Sequence, residues 1–266
     1  MEIEPLQANE IHLLGELIPP GWETAIPAID FYTKSCFCFP IKASIDNRIA
    51  GIGTTIIQHE TAWLAHIIVH PEFRNQGLGK IITENLIERA HLHGCETMYL
   101  LATELGEPVY KKLGFNTETE YVFYKGDKLN EPLIHSQNIV PFKSDFIEEI
   151  SHLDRKASGE DRMFQFEQHL NGGIVYFQNN EVKGFYLPGL GDGLIIANSN
   201  EAGVELMKVR LLTKDFAVFP SDNIVAAEFM KLHNFKQDRT QKRMRLGKYR
   251  DWMPINIYNR IGGNLG

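Results

Sequence analysis

Between Ala62 and His93 the chain runs from strand to loop to helix without interruption, and that order constrains the fold more than any other feature. Ala62 to His70 is apolar and rich in Ile, which reads as a buried strand ending at Pro71. A loop with two glycines follows, Arg74-Asn75-Gln76-Gly77-Leu78-Gly79. From Gly77 to His93 the apolar residues Leu78, Ile81, Ile82, Leu86 and Ala90 recur at helical spacing, and Gly94 is placed to stop the helix. Helix starts leave backbone N–H groups unpaired and carry partial positive charge. Glycines let that backbone come close to a ligand, so the segment suits a phosphate or pyrophosphate, with Arg74 and Lys80 adding charge. On the residues alone, a glycine-rich helix start with no ligand is an equal reading. The spacing has neither the G-x-G-x-x-G of dinucleotide folds nor the G-K-[ST] ending of P-loops.

The flanking segments predict an α/β (α+β) chain. Residues 1–35 are mixed and broken by Pro19-Pro20-Gly21, with apolar residues suited to short helices. Strands are expected at 36–45 and 49–57 around the polar turn Asp46-Asn47-Arg48, at 96–102, and at about 118–125. A short helix after Thr103, its plausible N-cap, is ended by Gly114. Residues 128–142 read as a linker with Pro132 and Pro141. Beyond it come a helix near 145–157, strands at 173–178 and 182–187, a helix near 201–212 and a strand at 215–219. An internal echo accompanies them: Val109-Tyr110-Lys111-Lys112-Leu113-Gly114-Phe115 corresponds to Phe229-Met230-Lys231-Leu232-His233-Asn234-Phe235, each after a strand.

A length of 266 residues suits two domains of about 100–150 residues each. The net charge of −7 argues against a general nucleic-acid or anionic-membrane binder. No apolar stretch approaches the ~20 residues needed to span a bilayer, and the acidic start does not resemble a signal peptide. With three cysteines, Cys36, Cys38 and Cys95, no disulfide framework is implied, and a cytoplasmic location is expected. Cys36 and Cys38 would share a face of the first expected strand, but no further Cys/His pair has zinc-ligand spacing, so no metal is expected.

Taken together, Val69, Pro71, Arg74, Gly77 and Gly79, followed by Tyr110, Lys112, Gly114 and Phe115, resemble the Gcn5-related N-acetyltransferase (GNAT) family. The resemblance covers roughly residues 1–127. It implies a mixed central sheet flanked by helices, and an enzyme that transfers an acetyl group from acetyl-CoA, its co-substrate, to a primary amine. It also implies roles. Backbone N–H groups of Asn75, Gln76, Gly77, Leu78, Gly79 and Lys80 would hold the pyrophosphate, with Arg74 beside them. Ile67 and Val69 would pair with the pantetheine arm as with an added strand. An N–H near Ile67 or Ile68 would face the thioester oxygen, and Tyr110 would protonate the departing thiolate. Thr103 stands where many members have Asn.

The acceptor side is less legible. The position of a family Glu base holds Trp63; Glu60, His66, His70 or water are the candidates for that role. His66 and His70 would share a strand face. Trp22, Phe31, Tyr32 and Phe37 read equally as core or as an acceptor wall. The acidic balance favours a cationic small-molecule amine over nucleic-acid-bound protein tails.

Residues 143–250 resemble a degenerate second copy, giving tandem GNAT-like domains: a catalytic domain at 1–127, a linker at 128–142, the copy at 143–250 and a C-terminal arm at 251–266. In the copy, Asn223 replaces Thr103 and Met230 replaces Tyr110. The segment Ile196–Gly203 has no Arg and no paired glycines. The arm is expected to form a strand or to cross to the other domain. A non-catalytic acyl-CoA sensor or scaffold is the alternative function.

Overall fold

The computed structural model describes residues 1–22, 25–130 and 136–266. Residues 131–135, which include Pro132 of the expected linker, lie outside the described residues. The chain divides into two compact units, Met1–Thr117 with Met244–Tyr249, and Glu118–Arg243 with Arg250–Gly266.

The first unit contains β1 (Glu2–Pro5), α1 (Ala25–Lys34), β2 (Cys38–Ile45), β3 (Arg48–Gln58), β4 (Thr61–Val69), α2 (Leu78–Leu92), β5 (Thr97–Ala102) and α3 (Glu107–Lys112). Strands β1 to β4 are antiparallel neighbours, and β5 joins β4 in parallel. Asp46 and Asn47 turn β2 into β3 with φ of 49° and 61°, the left-handed pair that a two-residue hairpin favours. The apolar stripe of α2, Leu78, Ile82, Leu86 and Ala90, packs with Ala62, Leu64 and Leu100. Gly51 and Gly53 let it lie close: a Cβ at either would come within 2.7–2.8 Å of Ile82 or Leu86.

The second unit takes in most of β6 (Asn116–Lys125), then β7 (Ile139–Pro141), α4 (Ile147–Ser158), α5 (Met163–Phe166), β8 (Ile174–Gln178), β9 (Glu181–Leu187), β10 (Leu194–Ala197), α6 (Asn200–Leu211), β11 (Phe216–Pro220), α7 (Ile224–Leu232), β12 (Lys236–Gly247) and β13 (Ile257–Asn259). One sheet here has the order β13-β10-β9-β8-β7, and β6 pairs antiparallel with β11. From Met244 onward β12 belongs to the first unit, where Met244 is buried in the α2 core. The fold is thus mixed α/β, sheets flanked by helices.

Several expectations change. Glu2–Pro5 is a strand, paired Ile3 with Ala43; four residues carry too little periodicity to show it. Strand β2 begins at Cys38, so Cys36 lies in the preceding turn, exposed, while Cys38 is buried. Burial pushes the Cys38 thiol up to about 12 and the Cys95 thiol up to about 11. The arm forms a strand, one of its two expected forms: β13 pairs with β10, and Arg250–Gly266 clusters with the second unit. Among the described residues no helix is long and apolar enough to cross a membrane.

Candidate active site

The cleft begins where two parallel strands part. Thr61, Ala62 and Trp63 of β4 pair with Thr97, Met98 and Tyr99 of β5. Among the described residues no pair joins the strands beyond that point, although β4 runs on to Val69 and β5 to Ala102. At the fork Trp63 and Tyr99 pack with ring centroids 5.4 Å apart. The far edge of β4 is therefore open to an extended ligand.

A β-bulge sits on this open stretch. Thr54 of β3 faces Ala65 and Ile52 faces Ile68, so His66 and Ile67 share one partner position. The bulge changes the phase of the strand. Ala62 and Leu64 face the α2 core before it, Ile67 and Val69 after it, and Ile68 is buried. His66 takes φ 47°, a strained left-handed conformation for a residue with a ring. Its Nδ1 shares a hydrogen bond of 3.1 Å with Tyr32 Oη of α1, and Trp22 meets it edge-on at 6.4 Å. Burial lowers its pKa to about 4, which keeps the ring neutral in ordinary buffers. His70 is elsewhere: past the end of β4, it accepts a hydrogen bond from Glu72 N and packs on Phe73. The two histidines thus have different partners, which the simple period of a strand does not predict. Among the described residues no group of three or more His, Cys, Asp or Glu could hold a metal.

At the other end of the loop, α2 starts on Gly77 with φ 83° and no side-chain cap. Asn75 also has positive φ, 61°. A Cβ on Gly79 would meet only Val69 Cγ2, at 3.7 Å. Packing therefore leaves room at Gly79, and no side chain caps the helix start. Arg74 is exposed and donates from Nε to Val69 O at 3.1 Å. Lys80 is exposed beside Glu84. Leu78 is buried, so its side chain serves the core while its N–H stays at the helix start.

Tyr110, on α3, is 8% exposed and shares the buried cluster of Leu64, Leu100 and Ala102. Burial raises its pKa above the ordinary value of 10.0, so the phenol holds its proton. Gly106 makes room for it: a Cβ there would come within 2.7 Å of the ring. Thr103 caps the turn before α3 rather than the helix itself, its Oγ1 accepting from Gly106 N at 3.3 Å; the residue at the helix boundary is Gly106. The Tyr32–His66 pair and the space at Gly106 have no sequence signature, since the first joins residues far apart and the second depends on a ring's direction.

Comparison with known proteins bears out the family resemblance. Residues 10–115 match the acetyltransferase (GNAT) family. A ribosomal protein bS18-alanine N-acetyltransferase of Salmonella typhimurium is 32% identical over 82 residues, 30% of this chain and 55% of that protein. A glucosamine 6-phosphate N-acetyltransferase of Trypanosoma brucei brucei is 32% identical over 75 residues, 26% of this chain and 51% of that protein. The chain spans about half the length of the curated relatives it matches. A putative acetyltransferase from Pyrococcus horikoshii superposes over 100% of this chain and 95% of its own, with TM-score 0.83 at 21% identity. A tandem GNAT protein from the clavulanic acid biosynthesis pathway covers 92% of this chain and 98% of its own, with TM-score 0.58 at 13% identity. The chain carries a GNAT-family acetyltransferase domain, and its fold is shared with tandem GNAT proteins.

Proposed function

We propose that the first unit transfers an acetyl group from acetyl-CoA to a primary amine, and that the second is a degenerate copy without a coenzyme site. The parting of β4 and β5 beside an uncapped glycine helix start carries this reading. Bound there, acetyl-CoA supplies an activated acetyl group that an amine attacks with release of the thiol. The N–H groups from Asn75 to Lys80 hold the pyrophosphate, helped by Arg74. The β4 edge at Ile67 and Val69 orders the arm, and an N–H of Ile67 or Ile68, beside the His66–Ile67 bulge, stabilises the developing oxyanion. Tyr110 keeps its proton until the thiolate leaves and donates it then; the attacking nitrogen gives up its excess proton to water, and water returns one to the Tyr110 oxygen.

The acceptor end is lined by Trp22, Tyr32 and a neutral His66. Aromatic faces attract a cationic amine, and the net charge of −7 draws it in. These features support a small-molecule amine. The named relatives act on a protein alanine and on a glucosamine phosphate, so both kinds of amine belong in the test. An exposed free thiol at Cys36 fits a reducing cytoplasm.

The experiment is a thiol-release assay with acetyl-CoA and a panel of polyamines, amino sugars and alanine-terminated peptides. Release with a small amine, lost in Tyr110→Phe, is the expected result. Preference for the peptides overturns the small-molecule assignment, and tight coenzyme binding with no release from any amine favours the sensor.

A further inference from the structure

Chain order in the second unit repeats that of the first: β10, α6, β11 and α7 follow one another as β4, α2, β5 and α3 do, and a long strand, β12 or β6, comes next in the chain. The first unit opens between β4 and β5. β4 and β5 still pair at one end, from Thr61 to Trp63; in the second unit, among the described residues, β10 and β11 are not hydrogen-bonded to each other at all, and the C-terminal segment lies between them. β13 runs antiparallel to β10, with Asn259 opposite Ile195 and Ile257 opposite Ile196. On its other side Arg260 N donates to Val218 O of β11 at 2.9 Å, and Asn259 Oδ1 accepts from Val218 N at 2.9 Å.

Two side chains lock the segment in. Asn259 is fully buried, and its Nδ2 donates to Gly193 O at 2.7 Å, just before β10. Tyr258 is 1% exposed and lies over the first turn of α6. Gly203 admits it there: a Cβ would sit 2.1–2.4 Å from the ring. Asn223, the cap of α7, donates from Nδ2 to Ile257 O at 3.0 Å. The segment thus meets the unit as a ligand meets a groove, main chain to strand edges and side chains to fitted spaces.

We propose that the gap between β10 and β11 is a peptide-binding groove whose ligand is this chain's own C-terminal segment, Trp252–Gly266, held by strand addition and exchangeable for a peptide of the same sequence. The segment takes the place that the coenzyme arm takes in the first unit, a comparison that rests on the proposed function; the groove itself does not. Tethering gives the segment a high effective concentration, so it stays in place. The chain then binds one coenzyme, in the first unit.

The test uses the full chain with a protease recognition sequence inserted at the exposed Asp251, cut in the folded state. The cut tail should co-elute with the body. In mild urea a fluorescent Trp252–Gly266 peptide should replace it, saturably and one to one. Peptides carrying Tyr258→Ala or Asn259→Ala should compete about tenfold more weakly or worse. Failure to exchange, or equal competition by the variant peptides, overturns the proposal. In the uncut chain, Asn259→Ala should speed hydrogen exchange of the Val218 amide about tenfold, and unchanged protection counts against the groove. Acetyl-CoA binding is measured on the same samples. One equivalent before and after cutting is expected, and a second after tail removal replaces the peptide groove with a latent coenzyme cleft. If no coenzyme binds at all, the proposed function fails while the peptide result stands by itself.

Discussion

Helices α2 and α6 occupy the same place in the order of their units, yet they begin differently. At α2 the boundary residue is Gly77, left-handed and with no side-chain cap. At α6 it is Ser199, whose hydroxyl accepts from Ala202 N at 3.2 Å. Beside Gly79 a Cβ would find room, while beside Gly203 the space is taken by Tyr258. One helix start has no side-chain cap, and the other is capped from within the chain. The next helices agree elsewhere. In both α3 and α7 the chain leaves through a left-handed residue, Gly114 at φ 91° or Asn234 at φ 63°. Phe115 N donates to Tyr110 O at 3.0 Å, and Phe235 N donates to Met230 O at 2.9 Å. The backbone device is shared and the hydroxyl is not. What the fold needs is kept in both units; the hydroxyl that the proposed function uses is present in one.

The sharpest way to break this contrast is at the paired positions Tyr110 and Met230. Tyr110→Phe should lower kcat about a hundredfold or more, the usual range for a lost general acid, with coenzyme affinity nearly unchanged. Met230→Leu, a volume-conserving core change, should leave kcat as it was. Equal losses in both variants would point to packing rather than proton transfer.

Gly77→Val comes next. A β-branched residue at φ 83° is strained by about 1–3 kcal/mol, so acetyl-CoA binding by calorimetry should weaken roughly tenfold to a hundredfold. Gly77→Asn tolerates that conformation better and should lose far less. Similar losses in both would mean that the side chain, not the backbone angle, matters there.

Ser199→Ala should remove about 1 kcal/mol of stability, visible as a Tm lowered by a few degrees, with the one-coenzyme stoichiometry unchanged. Any coenzyme gained at α6 by uncapping it would erase the difference between the helix starts.

The smallest effect concerns pH. Above about 4 His66 is neutral, and below 10.0 Tyr110 keeps its proton, so neither should bend the profile of kcat/KM near neutrality. The rising limb should instead move with the pKa of the acceptor amine when amines of different basicity are compared. A limb that stays put across amines would reveal a titrating protein group.

The helix with the glycine start and the tyrosine helix were readable in residues 62–115 because their cause is local. A helical period, a stop at Gly94 and glycines before Lys80 act over a few positions, so Arg74–Gly79 and Tyr110–Phe115 could be recognised as strings. The residues read as an acceptor wall or base resisted because they meet only across the fold. Tyr32 and His66 are joined by a hydrogen bond between α1 and β4. The bulge at His66 exists because β3 and β4 pair out of step, and it reverses which residues face α2. A strict period of two would have placed His66 and His70 together; the bulge and the end of β4 at Val69 separate their partners.

Composition and pattern by themselves determined the helix with the glycine start and the tyrosine helix, since each is written in contiguous residues. The parting of β4 from β5, the return of Met244–Tyr249 to the first unit and the seating of β13 between β10 and β11 were decided by tertiary structure. Strand pairing joins residues distant in sequence, and the identity of a neighbour is carried by neither strand alone.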